Sequence, residues 1–377
     1  MRRKNIVCVG GARPNFVKLA PLVESLRRDV ELRVRVIHTG QHHDWRMAGE
    51  IWQQLGLPEP DFALGAGSGS HGAQTARVLE RCEAALVELT ERGERPDLVI
   101  VVGDVNSTLA AALAAVKLGI PVAHVEAGLR SFDRTMPEEI NRLATDAICD
   151  LLWASEISGV RNLRAEGVEE SRIALVGNLM IDSLHRHRAA ARTAWRQLPL
   201  RAQTPEDYGV VTLHRAANVD DPARLRELLE VLGEIAREMP LVFPVHPRTE
   251  ARVREAGFVW PDRVITAEPL GYQEFLGLVE GSQVVLTDSG GIQEETTAMG
   301  IPCLTLRENT ERPATVEEGT NVLAGTSLEG VRAAWSRRAR RTERPVRTPQ
   351  GWDGRAAWRV HARLREFLEL GAIEQAA

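Results

Sequence analysis

Short apolar runs alternate with segments of helical spacing along almost the whole chain. Strand-like runs fall at 5–10, 34–39, 97–103, 121–126, 151–154 and 172–176, and helical patterns fill 15–28, 45–55, 72–92, 106–118, 137–148 and 158–167. Such alternation specifies βαβ units, and therefore a parallel sheet with helices packed on it. After VGN, residues 176–178, the pattern restarts. Strands follow at 208–213, 241–245, 263–266, 283–287 and 302–306, with helices near 179–197, 221–238, 271–280, 291–299 and 327–339. At 377 residues the chain exceeds one ordinary core. Two doubly wound α/β domains in tandem are expected, over 1–178 and 179–354, with a polar, Arg-rich turn at 337–350 and a last amphipathic helix near 355–371.

In open α/β sheets, ligands bind beyond the carboxyl ends of the strands. Here those ends are polar: GGARPN (10–15), HTGQHHD (38–44), GDVNST (103–108), EAGLR (126–130), HRAAN (214–218), HPRT (246–249), DSGGIQEE (288–295) and RENTERP (307–313). A purely structural protein has no reason to gather histidines, arginines and acids there. Other classes are disfavoured. The formal charge of −5 gives no basic field for nucleic acid or an acidic membrane. The longest apolar runs, such as DLVIVVG, are strand-sized, far short of a membrane span. MRRKNIVCVGG passes at once into a strand, leaving no room for a cleavable signal. Cys8, Cys82, Cys149 and Cys303 are scattered, as for reduced thiols in the cytoplasm.

Several tips carry chemistry. TDSGGIQEE follows a strand and opens a helix, so Ser289 is a candidate N-cap, and Gly290 and Gly291 let an anion approach backbone amides. Glu294 or Glu295 could hold a ribose; a capped helix with dipole-favoured acids is the plainer alternative. GGARPNFVK lacks the GxGxxG spacing of a dinucleotide site, yet places Arg13 and Lys18 where a diphosphate could be neutralised, as Arg307 and Arg312 are in the second half. The only lysines are Lys4, Lys18 and Lys117, so a lysine at 18 suggests a need for a compact ammonium. His214 and His246 end equivalent strands, each near an arginine. No HExxH pair occurs, the HTGQHHD cluster lacks a matching ligand set elsewhere, and no metal site is expected. Asp104 and Glu126 end what should be adjacent strands, where acids repel unless something is gained. Pro137 starts a helix on which Glu138 pairs with Arg142 and Ile140, Leu143, Ala144 and Ile148 form the buried side. Asp133, Arg134 and Glu139 read as a solvated connection.

Together, GARPNFVKLAPL, TGQHHD, GDVNST, HVEAGLRSFDRTMPEEINR, TLHRAANVD, PVHPRT and TDSGGIQEETTAMGIPCLTLRENTERPATVEEGTNVLAG resemble the non-hydrolysing UDP-N-acetylglucosamine 2-epimerases, from residue 10 to 325. The resemblance implies two Rossmann-like domains facing a central cleft, the glycosyltransferase-B arrangement, with the C-terminal helix (355–377) joined to the first domain. It implies interconversion of UDP-GlcNAc and UDP-ManNAc by anti elimination of UDP to 2-acetamidoglucal and re-addition, with no cofactor or metal. Asp104, Glu126 and Glu138 match the family's catalytic acids and His214 the histidine at the diphosphate. Arg13 and Lys18 match the cations of the first loop, Ser289, Gly290 and Gly291 the phosphate contacts, Glu295 the ribose ligand, Arg312 the late arginine and Phe275 the position beside uracil. His246 joins the substrate-binding set. A cytoplasmic homodimer is implied. Ala216, Ala217 and His43 depart from many bacterial members at positions of a second, activating UDP-GlcNAc site, which argues against that regulation here. The alternatives are a 2-epimerase of a modified sugar such as a 2,3-diacetamido uronate, a glycosyltransferase of the same fold, and a nucleotide-sugar sensor.

Overall fold

The computed structural model describes residues 2–41, 45–341 and 347–372. The chain divides into two compact units, Met1–Ser183 with Gln350–Ala377, and Leu184–Pro349. The division falls inside the helix Leu179–Gln197. His43, and the side chains of Ala216 and Ala217, on which the expectation about regulation rests, lie outside what is described.

The first unit is a seven-stranded sheet built from β1 (Lys4–Gly10), β2 (Leu32–His38), β3 (Phe62–Ala63), β4 (Leu98–Val102), β5 (Val122–Val125), β6 (Leu151–Ala154) and β7 (Ile173–Leu175). Its order is β3-β2-β1-β4-β5-β6-β7, and every pairing is parallel. Helices cover both faces, so the central strands have no wet side: Val99, Ile100 and Val101 expose no surface. The order reverses between β1 and β4, which puts the topological switch point at GGARPN and GDVNST.

The second unit repeats the plan with six parallel strands, β8 (Gly209–Thr212), β9 (Leu241–Pro244), β10 (Val264–Ala267), β11 (Val284–Thr287), β12 (Cys303–Thr305) and β13 (Asn321–Leu323). Their order is β10-β9-β8-β11-β12-β13. Here the switch lies between β8 and β11, at LHR and TDSGG. The α/β class with two parallel sheets is the one expected.

The sequence reading lacks the edge strands β3 and β13, whose apolar runs FAL and VLA are shorter than the IALV of the edge strand β7. It also lacks the helix Pro247–Glu255, whose PRTEARVRE buries only Thr249 and Val253 and so shows almost no apolar stripe. The last helix, Ala356–Phe367, belongs to the first unit. Asp182 accepts from the N–H groups of Ala356 and Ala357, Trp352 Nε1 donates to Ser155 O at 3.1 Å, and His361 Nε2 lies 2.8 Å from Asp29. Gly177 is required there, because a Cβ at its φ of +88° would sit 2.1 Å from Gly351 O. All four cysteines are buried and free. Among the described residues no helix is long and apolar enough to cross a membrane.

Candidate active site

At the first switch point the tips of β1, β2 and β4 join in one hydrogen-bonded floor. Asn15 Oδ1 accepts from the Ala12 N–H, and its Nδ2 donates to Val102 O at 2.9 Å. Gln41 Oε1 accepts from both the N–H and the hydroxyl of Ser107, and Thr39 Oγ1 lies 2.7 Å from Ser107 Oγ. Gly11 lies so close that a Cβ there would be 2.2 Å from Ser107 Oγ. The floor continues through Asn106, bonded to Gln74 and His71, to Asn141, which donates to Asp104 O at 2.9 Å.

Glu126 stands just past β5 with φ +73°, a left-handed backbone that costs a non-glycine residue roughly 1–3 kcal/mol and is a mark of functional positions. Its N–H is tied to Trp153 O at 2.9 Å. The side chain, 3% exposed, pairs with buried Lys18 from the helix Arg13–Arg27. Gly103, at φ +74°, runs over this pair. A Cβ there would lie 3.3 Å from Glu126 Oε2 and 3.1 Å from Asn15 Nδ2. Two loops and one helix thus converge on a single carboxylate, and Lys18 Nζ is committed to it.

The helix Pro137–Ile148 inverts the expected amphipathicity. Glu139, Asn141, Arg142, Thr145 and Asp146 are its buried residues, whereas Ile140 is 40% exposed. A polar face turned inward indicates a site rather than a core. Arg142 pairs with Asp104 from β4's tip and with Glu139 at 2.7 Å, where the sequence placed a pair with Glu138. Glu139 is not a solvated connector. It accepts from the N–H groups of Ser131 and Phe132 at 2.9 Å each and holds Phe132 at φ +60°. Burial pushes its carboxyl up, but these N–H groups and Arg142 outweigh that and keep it below the usual range. Asp104 keeps 30% of its side chain exposed, and Glu138 is half-buried at the helix start. Arg13 is half-buried in the first turn of its helix.

At the second switch point, Asp288 is fully buried and organises its neighbours. It accepts from the N–H groups of His214 and Arg215 at 3.0 and 2.9 Å and from Asn218 Nδ2 at 3.1 Å, and His214 Nδ1 lies 3.0 Å away. Burial raises its carboxyl, yet the hydrogen bond and charge of His214 with the other donors hold it below the ordinary Asp value. His214 is fixed at Nδ1 while 43% of its side chain stays exposed, which leaves Nε2 for a partner from outside. The His246 ring lies 6.3 Å from the His214 ring, and Nδ1 of His246 caps its own helix by accepting from the Arg248 N–H. Ser289 takes the N-cap position of the helix Gly290–Met299 without capping it through its side chain. Gly290 is packed under RENTERP: a Cβ there would lie 2.7 Å from Glu311 Oε1. Arg312 and Arg307 are buried and paired with Glu294 (2.7 Å) and Glu311 (2.8 Å). Glu295 accepts from Tyr272 Oη at 3.2 Å, and Phe275 packs, half-buried, on the cluster around Tyr208 and Leu278. The N-terminus of that helix, flanked by His214, is suited to a diphosphate.

A model of the family described as UDP-N-acetylglucosamine 2-epimerase matches residues 24–365. The chain belongs to the UDP-N-acetylglucosamine 2-epimerase family. The epimerase of that name from Methanocaldococcus jannaschii is 42% identical over 330 residues, covering 85% of this chain and 88% of the relative. The UDP-2,3-diacetamido-2,3-dideoxy-D-glucuronate 2-epimerase of Pseudomonas aeruginosa is 41% identical, with 86% and 89% covered. The crystal structure of the M. jannaschii epimerase in complex with UDP-GlcNAc and UDP superposes with a TM-score of 0.86 at 39% identity, over 96% of this chain and 99% of that one.

The family resemblance thus holds, and the residues singled out in the sequence divide between the two units. The first holds Arg13, Lys18, Asp104, Glu126 and Glu138. The second holds His214, His246, Phe275, Ser289, Gly290, Gly291, Glu295 and Arg312. The sequence reading missed Asp288, Asn15 and Glu139 as organisers. Asp288 carried the signal already noticed at Asp104 and Glu126, an acid at a strand end.

Proposed function

We propose that this chain interconverts UDP-N-acetylglucosamine and UDP-N-acetylmannosamine by elimination and re-addition of UDP. The carrying observation is the strained, buried Glu126, paired with Lys18 and set one strand from Asp104. An acid held at such cost next to a second acid is suited to proton transfer at carbon. The C2 hydrogen is not acidic in the ground state. As the C1–O bond breaks, UDP leaves with the bonding pair, positive charge develops at C1, and the C2 proton becomes removable by a carboxylate. Donors for the departing diphosphate would come from His214 Nε2 and the amides after Ser289. The resulting 2-acetamidoglucal accepts a proton at the other face of C2, and a diphosphate oxygen re-forms the bond to C1. Two faces require two acid/base groups, drawn from Asp104, Glu126 and Glu138. Lys18 acts on Glu126 rather than on phosphate, while Arg312 orders the phosphate loop through Glu294.

Support comes from family membership and from relatives named for this epimerisation. The reaction is placed in the cytoplasm, in keeping with four free buried thiols, and in a homodimer, which sedimentation would test. Incubation with UDP-GlcNAc in D2O, followed by proton NMR, tests the reaction: deuterium should enter C2 of both epimers with the UDP-sugar retained. Free ManNAc with UDP, or unlabelled substrate, overturns it. The diacetamido uronate relative at 41% identity favours a second reading, the same chemistry on a modified sugar. A panel of UDP-sugars separates the two.

A further inference from the structure

His124 lies inside β5 with none of its surface exposed. Its Nε2 is 2.8 Å from Gly103 O and its Nδ1 is 2.6 Å from Asp146 Oδ1. A carbonyl oxygen only accepts, so Nε2 must carry a hydrogen. On the other side, Asp146 Oδ2 already takes Arg130 at 2.7 Å and the Gly128 N–H at 2.9 Å. A carboxylate surrounded by donors stays ionised and has no hydrogen to give, so Nδ1 must donate as well. Arg130 is also bidentate on Glu166, with 2.7 Å on each arm, and that carboxylate is 37% exposed.

We propose that His124 is a doubly protonated imidazolium in the working enzyme and a positioning residue for the catalytic acids. Its charged hydrogen bond clamps the Gly103 carbonyl at the point where the backbone turns through φ +74°. Asp104 is the next residue, and the Lys18–Glu126 pair lies against the same glycine. One cation thereby sets the peptide that separates two of the acids. The groups facing it are Asp146 on the helix Pro137–Ile148, Arg130 and the Gly128 N–H in the loop after β5, and the Gly103 carbonyl at the tip of β4. Glu166, at the end of the helix Ile157–Ala165, acts through Arg130. Burial pushes Asp146 up, but His124, Arg130 and Gly128 hold it below the ordinary value, consistent with an ionised partner.

The positioning role rests on the epimerase reading; the charge state does not. The test is ring-nitrogen NMR of the full chain with labelled histidine, from about pH 6 to pH 9, where an ordinary imidazole loses its proton. The His124 resonances are assigned by their loss in His124→Gln and their shift in Asp146→Asn. Both nitrogens should stay protonated throughout in the wild type, and one should release its proton in Asp146→Asn. In D2O, deuterium incorporation at C2 should fall about 10²-fold in either variant, as for a catalytic group displaced by about an ångström, with UDP affinity retained and the pH profile altered. An unprotonated ring nitrogen at pH 7 overturns the charge state. A His124→Gln enzyme with wild-type rate and pH profile overturns the positioning role. Should that variant not fold, Asp146→Asn and the wild-type ring signals decide both points. A wild type that exchanges C2 of no UDP-sugar sinks the epimerase reading and the positioning role with it, while the ring signals still decide the charge.

Discussion

Lys18 Nζ meets Glu126 Oε2 with both side chains almost wholly buried. Only three of the 47 basic residues are lysine, and this one sits where a glycine backbone passes 3.8 Å from its ammonium, measured to the Cβ that Gly103 lacks. A planar guanidinium would not fit that gap as well as a point cation. Lys18→Met takes the ammonium away from a buried carboxylate, which should cost about 3–5 kcal/mol of unfolding free energy in urea titrations. Combining it with Glu126→Gln should restore most of that loss while leaving exchange at C2 abolished. If the single variant matches wild-type stability, the pair does not form.

Asp288 gathers two backbone N–H groups, an amide and a histidine ring onto one carboxylate. Asp288→Ala strips acceptors from several buried donors, each worth about 1–3 kcal/mol when orphaned. Asp288→Asn keeps an acceptor but releases the grip on His214 Nδ1. Its kcat should fall about 10²- to 10³-fold, the scale of losing one transition-state donor, with weaker UDP binding by calorimetry. An Asp288→Asn enzyme with unchanged kcat would show that His214 needs no orientation.

Much of this was legible in the residues, and the limits have physical causes. Strand positions followed from apolar runs because parallel sheets are buried on both faces, so β4 and β5 announce themselves. The edge strands β3 and β13 do not, since FAL and VLA are too brief to stand out from the residues around them. The tips pointed to the site because polar residues there have no structural excuse. The helix Pro137–Ile148 defeated periodicity: its buried face is polar, so the rule that apolar residues turn inward chose the wrong side. Partner choice was also beyond spacing. Arg142 sits at i+4 from Glu138 and i+3 from Glu139, and only the fold shows it bridging Glu139 to Asp104.

Gly11 is a packing glycine at the first switch point rather than a turn glycine. A methyl group there would lie 2.2 Å from Ser107 Oγ and 2.9 Å from Thr39 Oγ1. Both hydroxyls are already fixed, to each other and through Ser107 to Gln41, so neither can withdraw without breaking the floor. Gly11→Ala should destabilise the fold by about 1–3 kcal/mol through overpacking and reduce kcat/KM by at least about tenfold by shifting the Arg13 loop. Thermal melts and steady-state kinetics check the two arms. Activity and melting at wild-type levels would mean that the β1 and β4 loops pack less tightly than described.

Asp182 closes the N-terminus of the last helix, accepting from the Ala356 N–H at 3.0 Å and the Ala357 N–H at 2.7 Å. Burial pushes its carboxyl from 3.8 up to about 6, and the two N–H groups offset only part of that. A folded-state pKa above the unfolded one means that the native protein holds the proton more tightly. This contribution is therefore fully present below about pH 3.8 and is lost as pH rises through about 6. Glu139, Asp146 and Asp288 behave oppositely. Their lowered values give stability that is present above the unfolded pKa and lost as pH falls through the folded one. Asp182→Asn removes one titration, keeps one of the two acceptor oxygens for the helix amides and leaves the other carboxyls intact. Relative to wild type it should gain on the order of 3 kcal/mol between pH 4 and pH 8, from a shift of about two pK units. Paired urea titrations at pH 4, 6 and 8 measure that difference directly. A constant offset across the range would mean that Asp182 ionises normally and that the helix amides, not desolvation, dominate its environment.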